Sequence, residues 1–228
     1  MDENHNSAAL AGQLRCPHGS EAVAIGARMA RNNAGPITQA IDWLAPANGD
    51  RVLEVGPGSG AHIPLILERG DAIRYQGLDL SAPMVAEAVA SQGAWIETGR
   101  ARFQQGSSEA MPFADAAFDS LLCVNTLYFW ERPQDHLAEM RRVLRPGGRL
   151  CLAYGDRDFM SALPFSRHGF RLYGRPQGEA LLAVAGFDTI EHRSYCETGG
   201  SNSGGEVQKR FHLLRARRPV LDLATSPC

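Results

Sequence analysis

Between residues 51 and 154, short β-branched or leucine-rich runs alternate with longer stretches whose apolar residues recur at helical spacing. The runs at 51–55, 73–79, 101–105, 119–124 and 149–154 are predicted as strands. Alternation of this kind predicts a parallel sheet with crossover helices. The helix expected at 133–144 buries Leu137, Met140 and Leu144, with Pro146-Gly147-Gly148 as its stop. Ahead of the first strand lie two helical stretches, SEAVAIGARMARN with Ser20 as candidate N-cap and PITQAIDWLA with Pro36 in the first turn. FDTIEHRSY and QKRFHLLRA are predicted as the last two strands, separated by a flexible TGGSNSGGE. Residues 155–175 have no clear period. They follow the C-terminal end of a strand, where open α/β sheets bind ligands, so they read either as a substrate lid or as a surface connection. The tail PVLDLATSPC is expected to fray and to leave Cys228 an exposed thiol.

Composition narrows the class. With 228 residues and 44% hydrophobic content the chain is expected to be one domain, with a helical lead-in over 1–48, an α/β core over 49–218 and a flexible tail over 219–228. A net charge of −2 gives no field that would recruit nucleic acid or an anionic membrane. The start, MDENHNS, lacks the basic-then-apolar pattern of a secretory signal, and no run approaches a membrane span, so a soluble cytoplasmic protein is expected. Five cysteines without CxxC spacing argue against a disulfide framework or a zinc ribbon. Cys16 and His18 have no matching second pair, and no metal site is expected.

The chemistry concentrates in VLEVGPGSGA, residues 52–61. As GxGxxA, with Asp79 about 20 residues on, it fits a dinucleotide site. As acid-x-GxGxG, starting at Glu54, it fits the first motif of S-adenosylmethionine (SAM) methyltransferases. Gly56, Gly58 and Gly60 serve either ligand by letting it approach the backbone. Charge separates the two. A pyrophosphate would meet Glu54, and Pro57 withholds one N–H from it, whereas SAM brings an ammonium and a sulfonium that a carboxylate suits.

Several segments in order resemble the class I SAM-dependent methyltransferases, in particular the small-molecule group that includes quinone-biosynthesis methyltransferases. They are VLEVGPGSG, YQGLDLSAPMVAEA, GSSEAMPFADAAFDSLLCVNTLYFW and LAEMRRVLRPGGRLCLAY, together spanning about residues 50–155. The resemblance implies a Rossmann-like α/β fold, with a mostly parallel seven-stranded sheet, helices on both faces and an antiparallel last strand. It implies SAM as cofactor and S-adenosylhomocysteine (SAH) as product. It places the ribose hydroxyls on Asp79 and the methionine moiety beside Asn125, with Leu80 and Met84 in the same cofactor site. Where the family often has an aspartate for the adenine amino group, this chain has Ser107, a weaker acceptor. Adenine recognition is then expected to lean on the Ser108 N–H and on Leu80 and Met111.

Transfer is expected to be an in-line displacement, for which a base is optional. Tyr128, Trp130 and Glu131 are the candidate acceptor contacts, with Phe129 expected to pack beneath the next helix. Tyr128, His62 and His168 are the catalytic candidates, followed by Asp156 and His18, with His136, His192 and His212 ranked lower. Met29, Arg31, Asn32 and Asn33 are candidate cover over the cofactor. Asn125-Thr126-Leu127-Tyr128 lacks the prolines of exocyclic-amine nucleic-acid methyltransferases, and no Pro-Cys lies at a strand end for cytosine-C5 chemistry. A small-molecule acceptor and a monomer or homodimer are expected. The competing functions are a catalytically silent SAM-binding protein of the same fold and a NAD-dependent oxidoreductase.

Overall fold

A computed structural model describes residues 3–220. In chain order the helices are α1 (Glu3–Arg15), α2 (Ala22–Asn32), α3 (Ala34–Leu44), α4 (Pro64–Leu67), α5 (Ala82–Ser91), α6 (Gly93–Glu97), α7 (Pro133–Val143), α8 (Arg157–Ser161) and α9 (Arg175–Val184). The strands are β1 (Arg51–Val55), β2 (Arg74–Asp79), β3 (Ala101–Gln105), β4 (Phe118–Val124), β5 (Leu144–Gly155), β6 (Asp188–Gly200) and β7 (Glu206–Arg217). They form one sheet in the order β3-β2-β1-β4-β5-β7-β6. The first five strands are parallel, and β7 runs antiparallel to both β5 and β6. Strand order reverses between β1 and β4, and the crevice beyond their C-terminal ends is where such sheets hold ligands.

Alternation along the strands explains the two-faced core. Leu53, Val55, Leu121, Cys123, Leu150 and Leu152 pack into one cluster with Leu137 and Met140 of α7 and Leu182 of α9. Val52, Leu122, Val124, Cys151 and Ala153 point the other way, onto Ile41 and Leu44 of α3 and Ile66 and Leu67 of α4. Successive side chains leave a strand on opposite faces, so continuous apolar runs are what a sheet covered on both sides requires.

Four features depart from the sequence expectations. The Gly/Ser-rich TGGSNSGGE lies largely inside a long antiparallel hairpin, whose ladder runs as far as Gly200 and Glu206. Gly199 and Gly200 are paired at the end of that ladder, whereas residues 201–205 form the turn that their composition predicts. Residues 155–175 are more regular than expected, with α8 and a 3₁₀ turn at Pro164–Arg167. Pro146-Gly147-Gly148 sits within the irregular start of β5, where pairing to β4 shifts between Phe118 and Ser120. Helix α1 was not foreseen, because only Ala11 and Leu14 of it are buried apolar positions and its sequence shows almost no face. The expected tail at 219–228, with Cys228, lies almost wholly outside the described residues.

Candidate functional site

The turn after β1 is built from left-handed glycines. Gly58 has φ +57°, and a Cβ there would meet no atom within 4 Å, so the turn leaves an open cradle above it. Gly60 has φ +68°, and a Cβ would come within 2.9 Å of the Phe103 ring. The loop is tied to the next strand by the Gly56 N–H on the Leu78 carbonyl at 2.9 Å. The Gly58 N–H donates to Asp79 Oδ2 at 2.9 Å, and the Ser81 N–H donates to Asp79 Oδ1 at 2.9 Å. Asp79 thus ends β2 as a carboxylate held only by backbone donors. Burial raises its pKa, and the N–H groups of Ser81, Gly58 and Leu80 oppose the rise.

Glu54, on β1, is 6% exposed and accepts from the Tyr75 hydroxyl at 2.6 Å. Burial pushes its pKa up to about 7, against the lowering effect of the Tyr75 hydroxyl and with help from the Asp79 charge. The carboxyl is therefore close to half-protonated at neutral pH. At neutral pH a cation brought beside it would shift it toward the anion, which adds a condition to the charge reading of Glu54.

Both acids line a cavity of about 510 Å³ at the β1/β4 crevice. Gly56, Pro57, Gly58, His62, Leu80, Met84, Ser107 and Ser108 line it from the β3-β2-β1 half of the sheet, and Asn125, Trp130 and Glu131 from the half that starts at β4. The lead-in closes it with Leu14, Arg15, Met29 and Asn33. Gly60 and Met111 do not line it; Gly60 is packed on Phe103, and the Met111 backbone is held by Glu139 and Arg142. Arg15 lies 3.9 Å from Glu131, its ion-pair partner at the cavity. Neither Glu54 nor Asp79 has a protein cation as hydrogen-bond partner.

The candidate bases are dispersed. His62 lines the cavity, and its Nε2 must carry the proton it shares with the Ala30 carbonyl at 3.1 Å. Burial lowers its pKa, which leaves Nδ1 of the neutral ring as the acceptor. His168 lines neither of the two cavities. Asp156 caps α8 through the Asp158 N–H and accepts from His212 Nε2 at 2.8 Å, a structural role outside the cavities. His18 is turned onto the Cys16 carbonyl, and Arg31 is exposed.

The aromatic stretch after β4 is rearranged relative to expectation. Asn125, at φ +57°, and a 3₁₀ turn over Leu127–Phe129 rotate Tyr128 inward. Its hydroxyl donates to Asn125 Oδ1 at 2.9 Å and accepts the Gly155 N–H, while burial raises its pKa. With the proton engaged and the phenolate disfavoured, Tyr128 positions the ends of β4 and β5 and is not available as a base. Phe129, expected under the next helix, instead lines the cavity. Tyr128→Phe is expected to lower stability by roughly 1–2 kcal/mol, because two groups lose a hydrogen-bond partner. Urea denaturation checks this, and a variant as stable as wild type would remove the positioning role.

A hydrogen-bonded chain also escaped the sequence reading. His136 Nε2 faces Glu109 Oε1 at 3.3 Å, and its Nδ1 meets Ser108 Oγ at 2.7 Å under the stacked ring of Trp130. Burial lowers the His136 pKa, with Glu109 opposing. The neutral ring donates to Glu109, so the Ser108 hydroxyl donates to Nδ1 and keeps its lone pairs free for the cavity that it lines.

Residues 53–152 match the family described as methyltransferase domain. Strand order, glycine turn and this match make residues 53–152 similar to a class I SAM-dependent methyltransferase domain. The chain is similar to the ubiquinone/menaquinone biosynthesis C-methyltransferase UbiE of Paracoccus denitrificans, at 37% identity over 115 residues. That alignment takes in 50% of this chain and 46% of the relative, so the chain spans about half the length of that protein. It is 28% identical over 207 residues to an uncharacterized methyltransferase of Mycobacterium tuberculosis (strain H37Rv), covering 80% of each. Geranyl diphosphate C-methyltransferase from Streptomyces coelicolor, solved with Mg²⁺, geranyl diphosphate and SAH, shares the fold with a TM-score of 0.67. The identity there is 16%, over 91% of this chain and 87% of that one. Among the described residues no helix is long and apolar enough to cross a membrane, and no group of three or more His, Cys, Asp and Glu could hold a metal ion.

Proposed function

We propose that the chain transfers the methyl group of SAM to a small-molecule acceptor and releases SAH. The observation that carries this reading is the pair of carboxylates, buried Glu54 and half-buried Asp79, in one cavity with no protein cation hydrogen-bonded to either among the described residues. Such a pair suits a ligand that supplies an ammonium at one end and hydroxyl donors at the other, and it opposes a dianionic pyrophosphate. Bound SAM supplies a methyl group on a sulfonium, so an acceptor lone pair forms the new bond while the C–S electron pair returns to sulfur.

The chain's own residues bind and position. Asp79 takes the ribose hydroxyls with the oxygen lone pairs that Gly58 and Ser81 leave free. Glu54 takes the ammonium end through its link to Tyr75, and Asn125 borders the methyl. Ser107 and the polarised Ser108 hydroxyl face the adenine amino group, which offsets the absence of an aspartate at 107. An acceptor that must lose a proton gives it to water or to His62 Nδ1, the one histidine of the lining not committed to Ser108.

A thermal-shift series with SAM, SAH and NAD tests the reading. SAM and SAH are expected to raise the melting temperature, by an amount equivalent to about 2.7 kcal/mol at a hundred times Kd. NAD is expected to leave it unchanged. Stabilisation by NAD and not by SAH would return the site to the oxidoreductase reading. Stabilisation by SAH without methyl transfer to any acceptor would favour the silent SAM-binding protein.

A further inference from the structure

A second, smaller chamber of about 70 Å³ adjoins the large cavity, and Leu14, Met29, Asn33, Asn125 and Phe129 border both. Its floor and walls are aromatic. Phe129, Tyr128, Phe165 and Phe170 form a connected set, with ring centroids 4.7 Å apart for Phe129–Phe170 and 5.4 Å for Phe165–Phe170. Its far end is polar and is built from opposite ends of the chain. Lys209 of β7, its side chain only 6% exposed, donates to the Asn32 carbonyl at 2.7 Å and to Glu197 Oε1 at 3.2 Å. Asn202, in the hairpin turn, accepts from Asn32 Nδ2 at 2.8 Å.

We propose that this chamber seats a single uncharged ring whose hydroxyl or carbonyl edge hydrogen-bonds to Lys209, the opposite edge reaching past Asn33 and Asn125 to the methyl group. The inference rests on the methyl-transfer reading and adds the acceptor class to it. Three observations carry it. An ammonium has three donors, two of which are engaged, so Lys209 brings one more to the chamber that it lines. Glu197 already balances the Lys209 charge, so the pair offers no net attraction to an acidic or a cationic acceptor, and a charged ring would give up its hydration for no countercharge. Phe129 meets both Tyr128 and Phe170 edge to face, at 85° and 66°, so ring faces are turned onto one another and not onto a shared cation. Volume sets the size. An apolar cavity of about 150 Å³ holds benzene, so a chamber of 70 Å³ takes one ring only where its edge projects into the large cavity, and it excludes a long apolar tail.

The test is calorimetry and saturation-transfer NMR on the protein with SAH, using phenol, benzoate and benzylammonium as probes. Phenol is expected to bind at least tenfold more tightly than either charged ring. Lys209→Met is expected to weaken phenol at least tenfold. Leu163→Trp, which fills the chamber and leaves the Lys209–Glu197 pair intact, is expected to abolish phenol contact without changing SAH affinity. Absence of phenol binding, a charged ring binding as well as phenol, or unchanged phenol affinity in a folded Lys209→Met protein would each overturn the proposal. Failure of SAH to bind overturns the methyl-transfer reading instead, and the same probe titration without SAH still judges the chamber.

Discussion

Asp79→Ala is expected to weaken SAH binding by at least about 100-fold, since each hydrogen bond to a charged group contributes roughly 1.5–3 kcal/mol and two ribose hydroxyls lose theirs. The substitution also releases the Gly58 and Ser81 N–H groups that hold the glycine turn in place. Asp79→Asn separates the two contributions. It keeps one carbonyl oxygen but loses the charge, so an intermediate loss of about tenfold is expected from the lost charge assistance. Isothermal titration of SAH into each variant makes the comparison. Unchanged affinity in Asp79→Ala would remove the ribose assignment.

Glu54→Gln is expected to act in opposite directions on stability and on binding. The Glu54 carboxyl titrates near 7 in the folded chain, against 4.5 as its ordinary value. Between those pH values the native state holds more protons than the unfolded chain, so this group lowers stability as pH rises through the window and contributes a constant penalty above it. The penalty is about 3 kcal/mol when complete. Glutamine keeps an acceptor for Tyr75 and cannot ionise, so the cofactor-free variant is expected to exceed wild type in stability at pH 8 and to match it near pH 4.5. Its SAH affinity at pH 8 is expected to fall at least tenfold, because the ammonium loses its carboxylate. Urea denaturation across the pH range and calorimetry at pH 8 give both numbers. Parallel stability curves for the two proteins would sink the shifted pKa, and unchanged SAH affinity would sink the ammonium contact. A gain in stability joined to a loss of binding is what a strained functional group produces.

The centre of the sheet was legible because β1, β4 and β5 are covered on both faces and therefore written as nearly continuous apolar runs, unlike the edge strand β3, in which only Ala101 is buried. Val52 to Val55 and Leu121 to Val124 need no partner to be read as strands. The hairpin over 188–217 was only half legible, since Thr198, Gly199 and Gly200 carry loop composition while backbone pairing to β7 keeps them extended, and residues 201–205 form the turn that their composition suggests. In the site, residues adjacent to the glycine turn could be named in advance, because their role follows from local backbone geometry. The aromatic cluster could not be ordered: a single left-handed residue at Asn125 decides that Tyr128 turns inward and Phe129 faces the cavity. His136 was ranked low as an isolated histidine. Its partners Ser108 and Glu109 lie 28 and 27 residues earlier, and no spacing rule links a loop after β3 to the start of α7. The Glu54 proton was equally out of reach, since it depends on burial and on Tyr75 across the sheet.

The contact between Lys209 and Asn32, 177 residues apart, bears on the order in which the molecule matures. The residues proposed to hold the cofactor lie between Glu54 and His136, and all of them leave the ribosome well before β7 is synthesised. The chamber beyond them has no polar end until the final hairpin folds back onto the junction of α2 and α3. On the proposed function, a nascent chain can therefore assemble the residues proposed for the methyl donor first and the chamber proposed for the acceptor last. Changes in hairpin length or sequence alter that enclosure and leave the donor site as it is.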